Sequence, residues 1–599
     1  MSPTLHPEGP HAEYASRLEA RRAEVERHER RHRRLGNARL LVAVAAAVMV
    51  WLAVGRNAMA GWWLLAPVAV FAALAVAHDR VLRRRAVAAR AVEYCERALA
   101  RLDHHWAGAG EPGDRYSDPS HPYAEDLDLF GRGSLFELLS TARTRMGEDT
   151  LAAWLRAPGA LPTVLERQSA VRELTPLLDL REDLAVLAEE VRSAVHPDAL
   201  AAWGEAPPVL RSRRERAAAL VLASLAVLTA AVWAVWGQRD VFLVVAVLVA
   251  AYTLHVRRRI GRVVADVEGA AQDLVILSHV LRRLERENFR SPRLVLLRAE
   301  LDVEGALPSR RIARLNRLME LLDSRDNVVV RVVGPFVLYT VHLAFAVEAW
   351  RARSGPAVRR WLAAVGEMEA LCSLAGYAYE HPADPFPDFT GDSPCLDCEA
   401  VAHPLLPGDR AVCNDVRLGD DLRALVVSGS NMSGKSTLLR TLGVNVVLAQ
   451  AGAPVRARRL RLSPLQPGAS IRVMDSLQGG TSRFYAEITR LRQIVDLTRG
   501  PVPVLFLLDE FLHGTNSHDR KIGAEAIVRG LVERGAIGLV TTHDLALAHI
   551  ADVLAPRGAN VHFADRLEDG RLVFDYLLRA GVVDHSNALE LMRSIGLDV

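Results

Sequence analysis

Four apolar runs stand out from a chain in which polar and apolar residues otherwise mix at short range. A helix of about 20 apolar residues spans the hydrocarbon core of a bilayer, and a shorter one spans it when a flanking Arg reaches back to the interface. The runs come in two pairs, each divided by a short polar turn, and therefore predict four transmembrane helices in two hairpins. The alternative is a pair of helical hairpins buried in a large soluble core, which we disfavour because the runs contain no charge. The runs are residues 40–54, 58–77, 217–236 and 241–254, with turns at 55–57 and 237–240.

Arginine clusters flank the outer ends of both predicted hairpins. Cytoplasmic flanks of membrane helices are enriched in Lys and Arg, so both termini and the middle segment are predicted to lie in the cytoplasm. The expected location is the cell (inner) membrane, as a multi-pass protein. The polar N-terminus gives no indication of a signal peptide. The clusters are residues 30–34, 83–85, 211–216 and 257–259.

Outside the apolar runs, the hydrophobic spacing changes once along the chain. Residues 127–205 and 260–380 carry apolar side chains three and four positions apart, which predicts an all-α core domain, interrupted at residues 328–335. From about residue 395, short apolar strands alternate with helices, which predicts an α/β domain with a largely parallel sheet. The fold class is therefore mixed. The predicted divisions are 1–110 (charged helix and first hairpin), 111–210 (first core part), 211–260 (second hairpin), 261–394 (second core part) and 395–599 (α/β domain).

A glycine-rich turn in the α/β region matches the pattern of a phosphate-binding loop. It follows the apolar residues 425–427 and opens a stretch with helical spacing, and strand, turn and helix are the context that such a loop requires. Backbone N–H groups of the turn and the helix N-terminus attract phosphate. We expect Lys435 to bridge the phosphates and Ser436 to bind Mg²⁺. The predicted loop is Gly429, Ser430, Asn431, Met432, Ser433, Gly434, Lys435, Ser436 and Thr437.

Two further apolar strands end in groups suited to nucleotide hydrolysis. Residues 503–508 run into Asp509 and Glu510, and residues 537–542 run into His543. Nucleotide hydrolases use one carboxylate for the Mg²⁺ shell and can use another to polarise the attacking water. We therefore assign Asp509 to the metal, Glu510 to the water and His543 to sensing the γ-phosphate. The predicted cofactors are ATP and Mg²⁺.

Composition adds little to this picture. The net charge of +3 over 599 residues indicates no general affinity for polyanions, and five cysteines do not suggest a disulfide framework. Cys395, Cys398, His403 and Cys413 could be read as a zinc site, but one Cys-x-x-Cys pair falls short of the two half-sites that structural zinc requires.

These motifs together resemble the ATPase domain of the MutS family of DNA mismatch-repair proteins. The resemblance rests on Gly429–Thr437 with its internal Asn-Met, on Asp509-Glu510 followed by residues 514–517, and on Thr541-Thr542-His543. Residues 477–487 are similar to the family's signature loop, whose serine reaches the nucleotide of the partner subunit. The resemblance implies that Ser482 takes this role and that the protein is a homodimer with two composite ATP sites. It extends more weakly over residues 115–205 and 265–394.

The departures from the family narrow the expected function. The family's mismatch reader is an N-terminal domain with a Phe-x-Glu wedge, and the N-terminal region here reads as a charged helix and a membrane hairpin. We therefore expect a membrane-anchored ATPase that drives a conformational cycle without mismatch recognition, with an unknown protein partner. Two alternatives stay open: a membrane-tethered DNA-binding repair or recombination factor, and an ABC-type transporter subunit, since the ATPase fold is ABC-like. DNA is retained as a partner that is not mismatch-specific.

Overall fold

The computed structural model describes residues 9–55, 60–391, 393–472, 483–512, 515–544, 547–568 and 571–583. The chain divides into two compact units. The first comprises residues 1–141, 149–178 and 370–599, and the second comprises residues 142–148 and 179–369. The predicted first hairpin and the α/β domain belong to the first unit, and the predicted second hairpin belongs to the second.

Helices dominate the chain outside the C-terminal region, as the apolar spacing predicts. In the described part they are α1 (Gly9–Val50), α2 (Leu65–Leu102), α3 (Leu135–Leu139), α4 (Arg145–Arg156), α5 (Leu161–Leu174), α6 (Leu178–Ala194), α7 (Pro197–Glu205), α8 (Arg213–Trp236), α9 (Arg239–Glu285), α10 (Pro292–Leu301), α11 (Pro308–Asp323), α12 (Val328–Val333), α13 (Tyr339–Glu380), α14 (Lys435–Ala451), α15 (Arg483–Leu497), α16 (Ser517–Glu533) and α17 (His549–Leu554).

Strands lie in the C-terminal third and form two sheets. The smaller sheet has the order β1-β5-β2-β3 and the larger has the order β10-β9-β4-β8-β7-β6. The strands are β1 (Asp388–Phe389), β2 (Leu396–Val401), β3 (Asn414–Leu418), β4 (Ala424–Ser428), β5 (Arg459–Leu462), β6 (Gln466–Ser470), β7 (Val504–Asp509), β8 (Ile537–Thr542), β9 (Gly558–Glu568) and β10 (Arg571–Ala580).

The six-stranded sheet confirms the predicted α/β domain. Every neighbouring pair from β9 through β4, β8 and β7 to β6 is parallel, and β10 alone runs antiparallel, against β9. Strands β4 and β8 are buried along their whole length, which explains their unbroken apolar sequences. On one face, Phe506 and Val540 pack in a core with Ile494 of α15 and Val528 of α16.

The four apolar runs lie largely in four long helices, apart from residues 58–59, which are outside the described residues, and each pair of helices forms a hairpin. They are long and apolar enough to cross a membrane by length and composition. Both ends of α8, the first helix of the second hairpin, are encoded locally. Ser212 caps α8 by accepting a hydrogen bond from Glu215 N, and Gly237 ends it in the left-handed conformation at φ 72°. Residues 56–59 of the first turn lie outside the described residues.

The polar halves of α1 and α2 join the first hairpin to the end of α13. The side chain of Glu380, which is almost fully buried, accepts a hydrogen bond of 2.8 Å from Arg101 Nε and one of 3.4 Å from the Tyr14 hydroxyl. Tyr14 also packs edge-on against Tyr94 and Tyr379, with ring centroids 6.4 and 5.6 Å apart. Removing one partner of such a buried pair costs about 3–5 kcal/mol. The contacts of Glu380 with Arg101 and Tyr14 therefore form a stable junction, which we call the root of the first hairpin.

One prediction about the helical core is wrong in detail. Residues 328–333 were expected to interrupt the helices, but they form α12, and Gly334 N continues its hydrogen-bond pattern with Val330 O at 2.7 Å. The break falls at residues 335–338, where Leu338 has φ 51°. The low helix propensity of valine costs only a few tenths of a kcal/mol per residue, which is too little to break the helix even though Val328, Val332 and Val333 are 74%, 63% and 50% exposed. Just beyond α12, Phe336 packs on Phe242 of α9 with ring centroids 5.6 Å apart.

Candidate nucleotide-binding site

Three parallel strands end side by side and bring the predicted motifs together. Strand β4 ends at Ser428, directly before the glycine-rich turn, β7 ends at Asp509 and β8 ends at Thr542. In register, Asp509 lies opposite Thr541, and Ser428 lies opposite Thr542. The carboxyl edge of a parallel sheet is where α/β proteins bind their ligands. All three sequence motifs therefore converge on one edge.

The glycine-rich turn has a backbone that only small residues tolerate. Gly429 and Gly434 have φ of 155° and 103°. A Cβ on Gly429 would lie 2.7 Å from Ser433 Oγ, and one on Gly434 would lie 3.1 Å from the Tyr576 ring. Helix α14 begins at Lys435, so the turn delivers the chain to a helix N-terminus. This is the strand–turn–helix geometry that the sequence pattern predicts.

Lys435 is held inside the turn. Its ammonium donates hydrogen bonds to the carbonyl oxygens of Gly429 at 2.9 Å and Ser430 at 2.8 Å, and it lies 3.2 Å from Glu510 Oε1. The side chain is 5% exposed. A buried ammonium needs such partners, because leaving it unpaired would cost several kcal/mol. The lysine is therefore fixed at the floor of the turn.

A hydroxyl and carboxylate pair lies beside the lysine. Ser436 Oγ donates to Asp509 Oδ2 at 2.5 Å, and the Thr541 hydroxyl donates to Asp509 Oδ1. Thr541 Oγ1 in turn accepts a hydrogen bond of 3.1 Å from Glu510 N. Thr541 thus orients both acidic residues. From the sequence, Thr541 was part of a motif but had no assigned role. Its orientation of Asp509 and Glu510 is revealed only by the strand register.

Glu510 is placed between the lysine and His543. Its Oε2 lies 3.2 Å from His543 Nδ1, and its backbone is left-handed at φ 41°. Burial alone would raise the pKa of Glu510, but the charge and hydrogen bond of Lys435, with a contribution from His543, bring it below its usual value. The carboxylate is therefore ionised at neutral pH. A strained, ionised carboxylate at a strand end is typical of functional sites.

A cavity of about 940 Å³ opens over these groups. Besides the turn and the two acidic residues, His403, Tyr576 and Phe563 line it, and none of these three was predicted as a site residue. Burial, together with the charge of Arg440, lowers the pKa of His403 to about 4. Asn414 links two walls of the region, donating to Tyr576 O at 3.0 Å and accepting from Leu578 N at 2.7 Å. These contacts join β3 to β10, which are far apart in the sequence. No short sequence motif therefore predicts them.

The donor set fits a phosphate chain and a Mg²⁺ ion. Ser430 Oγ and Ser433 Oγ are shielded from solvent and make no hydrogen bond within the described part of the chain. Hydroxyls buried in a positively charged turn suit phosphate oxygens, and the Ser436–Asp509 pair offers the oxygen ligands that Mg²⁺ takes. Met432 in the same turn is 85% exposed with φ 70°, so its side chain contributes none of this polar lining.

The remaining predicted residues divide into those that meet at the site and those that cannot be placed. Asn431 and Thr437 line the cavity. Ser482 and Gly514 lie outside the described residues. Glu487 of the same predicted signature segment is buried and accepts a hydrogen bond of 2.5 Å from Leu512 N, just after the acidic pair.

The cysteine and histidine of the zinc alternative, which we disfavour from the sequence, have other surroundings among the described residues. Cys398 is buried within β2, opposite Val416 and Leu460, and burial raises the pKa of its thiol well above the usual range. His403 faces the cavity, where its Nδ1 accepts a hydrogen bond of 3.2 Å from Leu405 N. Among the residues that the structure describes, no three His, Cys, Asp or Glu side chains come together as metal ligands.

Comparison with known proteins identifies the family to which the α/β domain belongs. The family described as MutS domain V matches residues 425–598, a stretch that contains all three strand ends. This C-terminal domain therefore belongs to the MutS family. The MutS domain V accounts for the convergence of the glycine-rich turn, Asp509-Glu510 and Thr541–His543 on one sheet edge. Family membership was the expectation from the motifs, and it is confirmed.

Curated relatives match up to about half of this chain and leave most of their own length unmatched. The chain is 38% identical over 249 residues to "DNA mismatch repair protein MutS 2" of Halobacterium salinarum, covering 40% of this chain and 27% of the relative. It is 34% identical over 203 residues to "Endonuclease MutS2" of Thermus thermophilus (33% and 25%). It is 35% identical over 245 residues to "DNA mismatch repair protein MutS" of Natronomonas pharaonis (39% and 27%). The match thus spans about a quarter of these relatives.

Proposed function

We propose that this protein is a membrane-anchored ATPase that binds and hydrolyses ATP with Mg²⁺ and uses the cycle to change its conformation, without recognising mismatches. The observation that carries the ATPase part is the placement of Lys435, which lies 3.2 Å from Glu510 at the floor of a glycine-rich turn, beside the Ser436–Asp509 pair. Membership of the MutS family supports the same reaction. Phosphate oxygens would replace Glu510 and the two carbonyls as partners of the lysine.

Each residue of the site then has a chemical task. Lys435 and the backbone N–H groups of the turn neutralise and orient the phosphates. Ser436 and Asp509 would hold Mg²⁺, which supplies positive charge for the phosphate oxygens when bound. Glu510, once released from Lys435, accepts the hydrogen bond of a water molecule and orients it. His543 lies on the other side of Glu510 and is suited to contact the terminal phosphate.

The homodimer with composite sites is part of this proposal. It rests on the resemblance of residues 477–487 to the signature loop, through which Ser482 would contact the nucleotide bound by the partner. Mixing two inactive variants tests it. In a heterodimer of Ser482→Arg and Lys435→Ala subunits, one site carries both defects and the other carries neither, so activity should reappear in the mixture. Full activity of Ser482→Arg alone would contradict composite sites.

Membrane anchorage is supported by the exposure of apolar side chains on the hairpins. Leu65, Val54 and Val235 are 70%, 79% and 70% exposed, whereas valines and leucines of a soluble fold are normally buried. The arginine clusters beside the runs fit a cytoplasmic interface. We expect the protein to stay in the membrane pellet after carbonate extraction. Reporters fused within residues 55–57 and 237–240 should read as extracytoplasmic, and a cytoplasmic signal from either would contradict the topology.

The root of the first hairpin gives the conformational cycle a route to the membrane. Glu380, which binds Arg101 and Tyr14, ends α13 eight residues before β1, and α1, α2 and the ATPase domain belong to one compact unit. Movement of the ATPase domain would therefore carry the hairpin with it. Cross-linking or distance measurements between spin labels at the hairpin turns of a dimer, with and without ATP, would detect this movement, and unchanged distances would exclude it.

A DNA-binding function is a second candidate, favoured by the names of the relatives, which include mismatch-repair proteins and an endonuclease. The family model matches residues 425–598, and the chain spans about a quarter of the relatives' length, so those names are weak support for a DNA-reading part of this chain. We expect any DNA binding to weaken steeply with salt and to show no preference for mismatched duplex. A preference above about tenfold, or roughly 1.4 kcal/mol, would favour the repair function instead.

A further inference from the structure

A second cavity, of about 500 Å³, lies at the start of the second hairpin. Arginines from three helices face it, and the aromatic ring of Trp350 forms part of its wall. Arg216 stands directly before Ala217, the first residue of an apolar run. The arginines are Arg216 of α8, Arg310, Arg311 and Arg314 of α11, and Arg353 of α13.

The positive charge of this cavity is mostly uncompensated. Glu304 is the one acidic residue among its lining residues, and it lies 3.5 Å from Arg311 and 3.2 Å from Arg353. Within the described residues, Arg216, Arg310 and Arg314 have no carboxylate within 4.0 Å. These three arginines are exposed and line one cavity, and an anion among them would relieve the repulsion between their guanidinium groups.

Arg311 is held in the cavity wall by hydrogen bonds, but one of its N–H groups lacks an acceptor among the described residues. Its main-chain carbonyl accepts a hydrogen bond of 2.8 Å from Trp350 Nε1, and its Nη1 lies 3.3 Å from Ser354 Oγ. Its Nε is shielded from solvent and, in the part of the chain that the structure describes, makes no hydrogen bond. A buried guanidinium N–H without a partner is uncommon, so a ligand oxygen is a natural acceptor for it.

We propose that this cavity binds the phosphate group of an anionic ligand, and that the source of the phosphate is the headgroup of an anionic lipid. Guanidinium groups bind phosphate in a bidentate manner, and a cavity of this size accepts a headgroup. The choice of a lipid follows from Arg216, which directly precedes an apolar run, and therefore rests on the proposed membrane anchorage. Basic pockets between membrane helices on the cytoplasmic side commonly bind lipid headgroups.

The test uses the full chain in detergent micelles, in a Lys435→Ala background so that the nucleotide site does not bind phosphate. The first arm adds phosphatidylglycerol and counts lipids retained per chain by native mass spectrometry. The second arm omits lipid and measures thermal stabilisation by pyrophosphate. Arg310→Ala/Arg314→Ala is compared with Arg317→Ala/Arg325→Ala, which removes two exposed arginines that do not line the cavity. Arg310→Lys/Arg314→Lys keeps the charge and serves as the folding control.

We expect the cavity variant to lose phosphatidylglycerol affinity by roughly thirtyfold, about fivefold per arginine. The control pair should retain most of it, the lysine pair should lose less than the alanine pair because it keeps the charge without the bidentate geometry, and pyrophosphate should stabilise all variants equally. Pyrophosphate stabilisation lost in the cavity variant alone, with lipid retention unchanged, would overturn the lipid assignment in favour of a soluble phosphate. Equal behaviour of both alanine pairs in both arms would overturn the site itself. Loss of duplex DNA binding in the cavity variant alone would assign the cavity to nucleic acid and also overturn the proposal.

Failure of this proposal can be distinguished from failure of membrane anchorage. If the unaltered protein is extracted from membranes by carbonate, the anchorage is wrong. If it resists extraction but the alanine pairs behave alike in micelles, the anchorage stands and the cavity assignment is wrong.

Discussion

The central sheet and the two hairpins use the same apolar residues in opposite surroundings. Val426, Leu507 and Val540 in the sheet are fully buried, whereas Leu243 and Val244 on α9 are 54% and 63% exposed. In the sheet, helices on the faces remove these side chains from water, and the strand ends are left free to carry polar chemistry. On the hairpins, few apolar side chains have a protein partner. A run of valine and leucine thus predicts burial, but only the surrounding elements tell whether protein or lipid provides it.

The largest expected effect is at the floor of the nucleotide site. Lys435→Ala should abolish ATP binding and hydrolysis, because it removes the buried ammonium that would neutralise the phosphates. The chain has one other lysine, Lys521 on α16, so Lys521→Ala is a matched control and should bind ATP normally. Binding of a fluorescent ATP analogue is the measurement. Normal binding by Lys435→Ala would show that the sheet edge is not the nucleotide site.

Glu510→Gln should separate binding from hydrolysis. The amide keeps the size of the side chain but cannot act as a base, so ATP should still bind while hydrolysis slows by about 10²–10⁴-fold. Glu533→Gln, on the exposed end of α16, provides the control and should hydrolyse ATP at the unaltered rate. Single-turnover hydrolysis measures the effect. A rate for Glu510→Gln within about threefold of the unaltered protein would remove this residue from the proposed mechanism.

A pair of identical substitutions tests the contrast in burial directly. Leu507→Ala should destabilise the ATPase domain by about 2–5 kcal/mol, because Leu507 is fully buried between the sheet and α14. Leu243→Ala should have an effect within about 0.5 kcal/mol in detergent, because no cavity forms at an exposed position. Hydrogen exchange of peptides from β8 and α9, respectively, reports each local stability. Equal losses at the two positions would mean that α9 is packed against protein there.

The smallest expected effect is a pH dependence from His403. Its pKa is about 4 in the folded protein and ordinarily 6.5, so the unfolded chain binds more protons between these values and stability falls as the pH is lowered through this window. From pH 7 to pH 5 the loss should be about 2 kcal/mol. His403→Asn should remove it, and His549→Asn, at an exposed position, should leave it in place. Denaturation midpoints at the two pH values provide the measurement, and parallel curves for His403→Asn and the unaltered protein would contradict the assignment.

The glycine-rich turn, the two acidic residues and His543 were predictable from the sequence because each lies within a short motif at the end of an apolar strand. Parallel strand pairing then brings the motifs together without further information. The hairpins were equally predictable, because their signal is the length of an uninterrupted apolar run. The helical state of residues 328–333 was not, because a run of valines suggests a break, whereas the propensity penalty is too small to prevent a helix.

What the tertiary structure decided is the set of contacts between residues far apart in the chain. His403, Tyr576 and Thr541 join the site through the smaller sheet, a bulged edge strand and the register of β8 against β7. The arginine cavity brings together α8, α11 and α13, and no spacing along the sequence connects Arg216 with Arg353. A local motif encodes the conformation of its own backbone, whereas a site assembled from distant elements depends on how those elements pack, and packing is a property of the whole fold.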